Sequence, residues 1–174
     1  MACRPFGAAG GHDHGHPNQR SGNCQACRNR WLASSSIWCS APRTVYPSSP
    51  PAIRPELHAY LGGILDALGC SPLRVGGTVD HVHLLFSLAR TRTIADVVEE
   101  AKKGSSKWMK QQGSPDFWWQ AGYGAFSVAQ SQVSTVTRYI ERQAEHHQAQ
   151  SFQEEFRQLL GRYQLAYDER YVWD

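Results

Sequence analysis

The sequence predicts an α+β sandwich, in which a mostly antiparallel sheet carries its helices on one face. From about residue 52 onward, segments with apolar residues at helical spacing alternate with short apolar segments that are typical of strands. Two strand candidates follow each other directly, as in a hairpin, and hairpin strands are antiparallel. Helices alternating with such strands favour an α+β fold.

Length and composition narrow the class of protein. The chain has 174 residues, enough for one domain with its own core, and its formal net charge of +3 permits a nucleic-acid partner without requiring one. It contains no apolar run of the roughly 18 residues that a membrane helix needs, and its N-terminus has no apolar signal core. We therefore expect a cytoplasmic protein with no membrane partner. The five cysteines are irregularly spaced, which suits a reducing compartment.

The first 50 residues differ from the rest of the chain. They are rich in Gly, Ser, Pro, Arg and Cys and follow neither the strand nor the helix period. We expect residues 1–50 to be irregular, with residues 1–33 disordered or loosely held, and residues 51–174 to form the folded domain. The stretches HDHGH and CQAC have the spacing of zinc ligands, but no core-forming sequence surrounds them.

The folded part begins with a helix and a hairpin. Apolar residues at helical spacing predict a helix over residues 55–69, and Gly69 is its stop signal. Residues 72–79 and 81–88 are short strand candidates that form a hairpin near two consecutive glycines.

The second half contains three more helices and one more strand. Thr93 is positioned to cap a helix that runs to about Gln112. A glycine-broken aromatic segment follows and ends in a predicted strand at residues 124–128. Two further helices are expected over residues 130–148 and 152–163.

The second strand of the hairpin, VDHVHLLFSL (79–88), carries two histidines in an apolar setting. Residues two apart in a strand point to the same face, so His81 and His83 present two imidazoles side by side, while Val82 and Leu84 point to the other face. Two adjacent imidazoles suit one divalent cation or one phosphate. The alternative is that one histidine is a hydrogen-bonded core residue and the other is incidental. The apolar flanks favour the first interpretation, because polar groups buried there need partners.

A tyrosine and a glutamine share one face of the helix predicted over residues 130–148. Tyr139 and Gln143 are four residues apart, and Tyr139 lies beside the apolar stripe of that helix. A phenol oxygen next to an activating cation is a competent nucleophile towards a phosphodiester. The alternative is a half-buried tyrosine at a helix–sheet seam.

Basic residues are placed for a nucleic-acid substrate. Lys103, Lys107 and Lys110 share one side of the helix that Thr93 caps, and Arg90 and Arg92 follow the histidine strand. Such side chains would contact phosphates with little sequence preference. An ordinary solvated helix face would show the same pattern.

Several of these motifs occur together in one known family. DHVHLLF, then WQAGYGAFSV followed by YIERQAEHH, and the ending FRQLLGRYQLAYDERYVWD occur in that order over about residues 53–174. In this order they resemble the single-domain tyrosine transposases of the HUH class, which move insertion sequences, and their REP-associated relatives. Replication initiators and relaxases share the chemistry but are usually larger, and the ending is similar to the transposase branch.

The resemblance implies a fold, a reaction and partners. It implies a ferredoxin/RRM-like sandwich that cleaves and rejoins DNA. His81, His83 and Gln143 would bind Mg²⁺ or Mn²⁺, and Tyr139 would attack the scissile phosphate, leaving a free 3′-OH and a 5′-phosphotyrosine link. The partners implied are single-stranded or hairpin DNA, bound in part by the basic residues, and a second copy of the chain in those members that are homodimers.

The chain departs from the family at the first strand. Where the family has a strand reading roughly HLVFSTKNR, this chain has SSIWCSAPRTVYPSSP (35–50), without alternation and with prolines. One consistent choice of codons for these residues, read out of frame, encodes the family strand. We therefore expect residues up to about 50 to be a frame-shifted translation and the first strand to be scrambled. This leaves two alternatives, an active transposase and a degenerate, inactive remnant that only binds hairpin DNA.

Overall fold

The computed structural model describes residues 35–40, 52–146 and 151–169. These residues all belong to one compact unit, Leu32–Asp174. A second unit, Met1–Trp31, lies outside the described residues, as do the HDHGH and CQAC stretches. None of the described helices is long and apolar enough to cross a membrane.

The described residues form one sheet and the helices packed on it. The strands are β1 (Ser35–Ser40), β2 (Ser71–Gly77), β3 (Val82–Ser87) and β4 (Gly124–Val128). The helices are α1 (Arg54–Ala67), α2 (Ile94–Gln111), α3 (Val133–Glu141), α4 (Gln143–His146) and α5 (Phe152–Arg162), with a 3₁₀ turn at Gln130–Gln132 before α3.

The sheet has the order β2-β3-β1-β4, and every neighbouring pair of strands is antiparallel. The chain order β1-α1-β2-β3-α2-β4, with β1 and β3 in the middle of the sheet, is the ferredoxin-like arrangement. The predicted α+β class and antiparallel sheet are therefore confirmed.

Strand β1 corrects the expectation that the first 50 residues are irregular throughout. It occupies a central position, with Ser36 opposite Phe86 of β3 on one side and Ser127 of β4 on the other. The physical reason is that backbone N–H and C=O groups form the ladder, so a segment without side-chain alternation can still pair on both sides. The strand ends before Pro42, which has no N–H to donate.

Helices lie on both faces of the sheet, so the prediction that they lie on one face is wrong. Alternate residues of β3 separate the two sides. Leu84 belongs to the hydrophobic cluster that contains residues of α1 and α2, whereas Leu85 packs with Ile140 of α3. In agreement with this, all but the last residue of β3 are buried, as in a strand covered on both faces.

The helix predicted over residues 130–148 is interrupted in the structure. It starts as the 3₁₀ turn, becomes α-helical in α3, and breaks at Arg142 before the short helix α4. Residues 147–150 lie outside the described residues. The predicted cap of α2 is present as a capping box, in which Thr93 and Asp96 bond each other's backbone N–H groups.

His58 in α1 makes stability depend on pH. Burial, followed by the charges of Arg54 and Arg74, lowers the pKa of its imidazole to about 4. As the pH falls below about 6.5, the unfolded chain binds a proton at this residue and the folded chain does not. This contribution to stability is therefore complete above pH 6.5 and is lost as the pH falls towards 4.

We expect a measurable loss of folding free energy from this residue. Discounted for partial exposure, the loss between pH 7 and pH 4.5 should be roughly 1–2 kcal/mol. Urea denaturation of the wild type and of His58→Gln at both pH values measures this loss. The free energy of unfolding should fall more in the wild type than in His58→Gln. Identical pH dependence of the two proteins would contradict the assignment.

Candidate active site

The β2–β3 hairpin places two histidines against each other. His81 immediately precedes β3 and His83 lies within it, and these residues are 1% and 0% exposed, respectively. Their Nε2 atoms lie 3.1 Å apart. The hairpin turn holds His81, because Nδ1 lies 2.8 Å from Asp80 Oδ1 and 3.0 Å from Thr78 Oγ1. Donation from Nδ1–H to the Asp80 carboxylate leaves Nε2 with its lone pair facing His83, as in metal-ligating histidines.

Gln143 approaches the histidines from α4, 62 residues further along the chain than His81. The residue is 1% exposed, and its Oε1 lies 3.1 Å from His81 Nε2. With the Nδ1–H tautomer of His81, both of these atoms carry lone pairs. A cation stabilises such a pair of facing acceptors.

Glu155 of α5 also enters this cluster, and sequence analysis missed it. The residue is only 7% exposed. Its Oε1 lies 3.0 Å from His83 Nε2, and it accepts a hydrogen bond of 3.2 Å from Gln143 Nε2. Burial opposes ionisation, but the hydrogen bond and charge of His83, helped by Tyr139 and His81, hold the pKa of this carboxyl well below its usual range. The available signal was its position, three residues after Phe152 on the apolar side of the predicted helix.

Tyr139 joins the cluster through its hydroxyl group. Its side chain is half-buried on α3, with the ring centroid 5.9 Å from that of His83, and its O–H donates a hydrogen bond to Glu155 Oε1. A cavity of about 640 Å³ opens beside the ring. The cavity lining combines the reactive groups with polar side chains, among them His83, Tyr139, Glu155, Gln132, Thr135 and Arg162.

The donor atoms suit a divalent cation that accepts nitrogen and oxygen ligands. His81, His83 and Glu155 each offer one ligand atom, and these atoms lie within 4.8 Å of one another. The Gln143 amide oxygen adds a neutral oxygen donor. Imidazole, amide and carboxylate groups are all ligands that divalent cations accept in proteins.

Two glycines let the site helices approach the sheet. A Cβ atom at Gly76 in β2 would lie 2.6 Å from Cγ2 of Ile140 and 3.1 Å from its carbonyl oxygen. A Cβ atom at Gly124 in β4 would collide with the ring of Phe156 in α5. The absent side chains therefore allow α3 to carry Tyr139, and α5 to carry Glu155, close to the histidine strand.

Gly76→Ala is expected to destabilise the fold by about 1–3 kcal/mol, because α3 must shift to admit the methyl group. Gly63→Ala is a matched control, since Gly63 is exposed in α1 and a Cβ there would meet nothing within 4 Å. That change should stabilise the protein by about 0.5–1 kcal/mol. Urea denaturation of both variants measures the two changes in the free energy of unfolding. Equal changes would contradict the close packing of α3 on Gly76.

The structure brings together some of the predicted site residues and not others. His81, His83, Gln143 and Tyr139 form one cluster. The five basic residues predicted to bind DNA are exposed, in the loop after β3 and along α2, which packs on the opposite face of the sheet from α3. Their contact with DNA stays a prediction: Arg90, Arg92, Lys103, Lys107 and Lys110.

Comparison with known families identifies the chain. Residues 34–143 match the family described as "Transposase IS200 like". The chain belongs to the IS200-like transposase family. The match includes β1, both histidines, Tyr139 and Gln143, whereas Glu155 lies beyond it.

Two solved structures have a fold similar to that of this transposase. A Deinococcus radiodurans protein assigned as a transposase is 20% identical, with a TM-score of 0.50 over 66% of this chain and 94% of that chain. A REP-associated tyrosine transposase bound to a REP hairpin is 11% identical, with a TM-score of 0.52 over 66% and 68% of the two chains. No curated protein matches the chain. The resemblance to HUH-class tyrosine transposases is confirmed.

Proposed function

We propose that this transposase cleaves and rejoins single-stranded DNA through a 5′-phosphotyrosine intermediate at Tyr139. The observation that carries the proposal is the hydroxyl group of Tyr139 in hydrogen-bond contact with the cluster that contains both histidines and Gln143. A nucleophile next to a candidate cation site is the arrangement that phosphodiester cleavage requires.

The proposed reaction conserves the phosphodiester bond. The Tyr139 oxygen attacks the scissile phosphorus and gives up its proton, the bond from phosphorus to the 3′-oxygen breaks, and the 3′-oxygen takes up a proton and leaves as a hydroxyl group. A divalent cation held by His81, His83 and Gln143 would neutralise charge on the phosphate. A 3′-OH from another strand reverses the first step, so that transfer needs neither ATP nor water.

Hairpin DNA is the proposed partner. The similar REP-associated transposase is bound to a REP hairpin. In this chain the cavity beside Tyr139 includes Arg162, whose guanidinium can contact a phosphate, and the exposed lysines of α2 offer a second basic surface. A homodimer stays a prediction. The four cluster residues meet within one chain, so the cluster as described needs no residue of a partner subunit.

The test is the formation of a covalent protein–DNA adduct. The protein is incubated with hairpin-bearing single-stranded oligonucleotides taken from the DNA that flanks its coding sequence, with Mg²⁺ or Mn²⁺. We expect a species that survives denaturing electrophoresis and a released strand with a free 3′-OH, both absent with EDTA. Binding of the hairpin without adduct or cleavage in either metal would contradict the proposal.

The alternative function is a remnant that only binds hairpin DNA. The out-of-frame reading of residues 35–50 favours it, because a frame-shifted first strand indicates lost selection on activity. The nucleotide sequence across codons 34–52, from independently prepared DNA, distinguishes the two. One base more or fewer than in the present reading would restore the family strand and favour the enzyme, whereas an unchanged sequence would favour the remnant.

A further inference from the structure

We infer that Glu155 is a fourth ligand of the divalent cation, so that helix α5 completes the metal site. The inference rests on the proposed function, because it extends the ligand set formed by His81, His83 and Gln143. It is independent of the family match, which ends at residue 143, before α5 begins.

The position of the carboxylate carries the inference. Oε1 lies 3.0 Å from His83 Nε2, and Oε2 lies 3.7 Å from His81 Nε2. Both oxygens therefore face the two nitrogen atoms that would bind the cation. A structural ion pair would need contact with only one histidine, whereas a ligand must lie within reach of the centre that both share.

The charge of Glu155 supplies what the other donors lack. Two neutral imidazoles and one amide bring no negative charge to a dication, and hard cations are bound in proteins mainly by carboxylate oxygens. The carboxylate is buried, so its attraction to a cation is screened less than at the surface. Glu155 thus neutralises one of the two positive charges inside the protein.

Residues of α5 before and after Glu155 hold this carboxylate in place. Ser151 and Glu154 form a capping box at the N-terminus of α5. One residue into the helix, the ring of Phe152 stacks on His81 with 4.8 Å between centroids. One residue after Glu155, the ring of Phe156 contacts Gly124 in the sheet. Packing on each side therefore limits the positions that the Glu155 side chain can take.

Binding of Mn²⁺ to the whole protein, followed by the electron paramagnetic resonance signal of the free ion, tests the inference without DNA or activity. Glu155→Gln should bind Mn²⁺ at least about tenfold more weakly than the wild type. The control Glu100→Gln should keep wild-type affinity, because it removes the same charge from an exposed site on α2.

The outcomes separate this inference from the proposed function. Wild-type affinity in Glu155→Gln, with affinity lost in His83→Ala, would overturn the role of Glu155 and leave the proposed function intact. Wild-type affinity in both variants would overturn the proposed metal site itself. Melting curves without Mn²⁺ report folding of the variants. If Glu155→Gln does not fold, infrared difference spectra of the wild type decide, because a coordinated carboxylate shifts its stretching bands on Mn²⁺ addition and an uncoordinated one does not.

Discussion

Tyr139→Phe is expected to abolish covalent attachment to DNA, with a loss on the order of 10⁴-fold or more in the rate of strand cleavage. The substitution removes only the oxygen that would attack the phosphorus. The ring keeps its packing beside His83, so the helix that carries it has no reason to move. The measurement is the rate of adduct formation on hairpin-bearing single-stranded DNA with Mg²⁺.

Tyr163→Phe is the matched control for this prediction. Tyr163 lines the same cavity, but its hydroxyl group donates to the backbone oxygen of Ser127 and lies at a partly exposed position. Adduct formation should stay close to that of the wild type. Equal adduct formation by Tyr139→Phe and the wild type would mean that another nucleophile, or water, cleaves the DNA.

His83→Ala is expected to have the largest effect on stability, a loss of roughly 3–5 kcal/mol in the free energy of unfolding without metal. His83 is fully buried and holds the Glu155 carboxylate at 3.0 Å. Its removal leaves a buried carboxylate with fewer partners, and it also creates a cavity in the strand at the centre of the site. Urea denaturation at pH 7 in EDTA measures the loss.

A second substitution tests the cause of that loss. If the uncompensated charge is responsible, adding Glu155→Gln to His83→Ala should recover about 1–2 kcal/mol. A double variant that is less stable than His83→Ala would indicate that lost packing, and not the charge, dominates.

The contact between His83 and Glu155 also affects how the stability of the wild type changes with pH. The pKa of Glu155 is lowered in the folded protein, so its contribution to stability is present above the pKa of the unfolded chain, about 4.3, and is lost below it. His83→Ala should therefore lose less stability than the wild type between about pH 5 and pH 3.

Local pattern was enough to predict the parts of the site that depend on backbone geometry. The spacing of His81 and His83 puts both on one face of a strand in any sheet, because side chains alternate there. The same holds for Tyr139 and Gln143, four residues apart. The break at Arg142 still limited this inference, since it divides the predicted helix between those two residues.

Residues that meet only through tertiary packing could not be predicted in this way. Glu155 reads as one acidic residue in the first turn of an amphipathic helix, where carboxylates are common for reasons unrelated to a site. The sequence indicates that Gly76 is a turn residue near the hairpin, although in the structure Ile140 packs against it. Neither role has a local signal, because each depends on a partner on a distant element.

The sequence by itself determined the α+β class, the order of helices and strands after residue 52, the paired histidines and the family. Only the tertiary structure decided three things: that Ser35–Ser40 fills the centre of the sheet, that helices cover both of its faces, and that Glu155 joins the histidine cluster. The physical reason is that periodicity specifies which side of an element is apolar. It does not specify which element covers that side, and the backbone of a segment without an alternating pattern can still pair in a sheet.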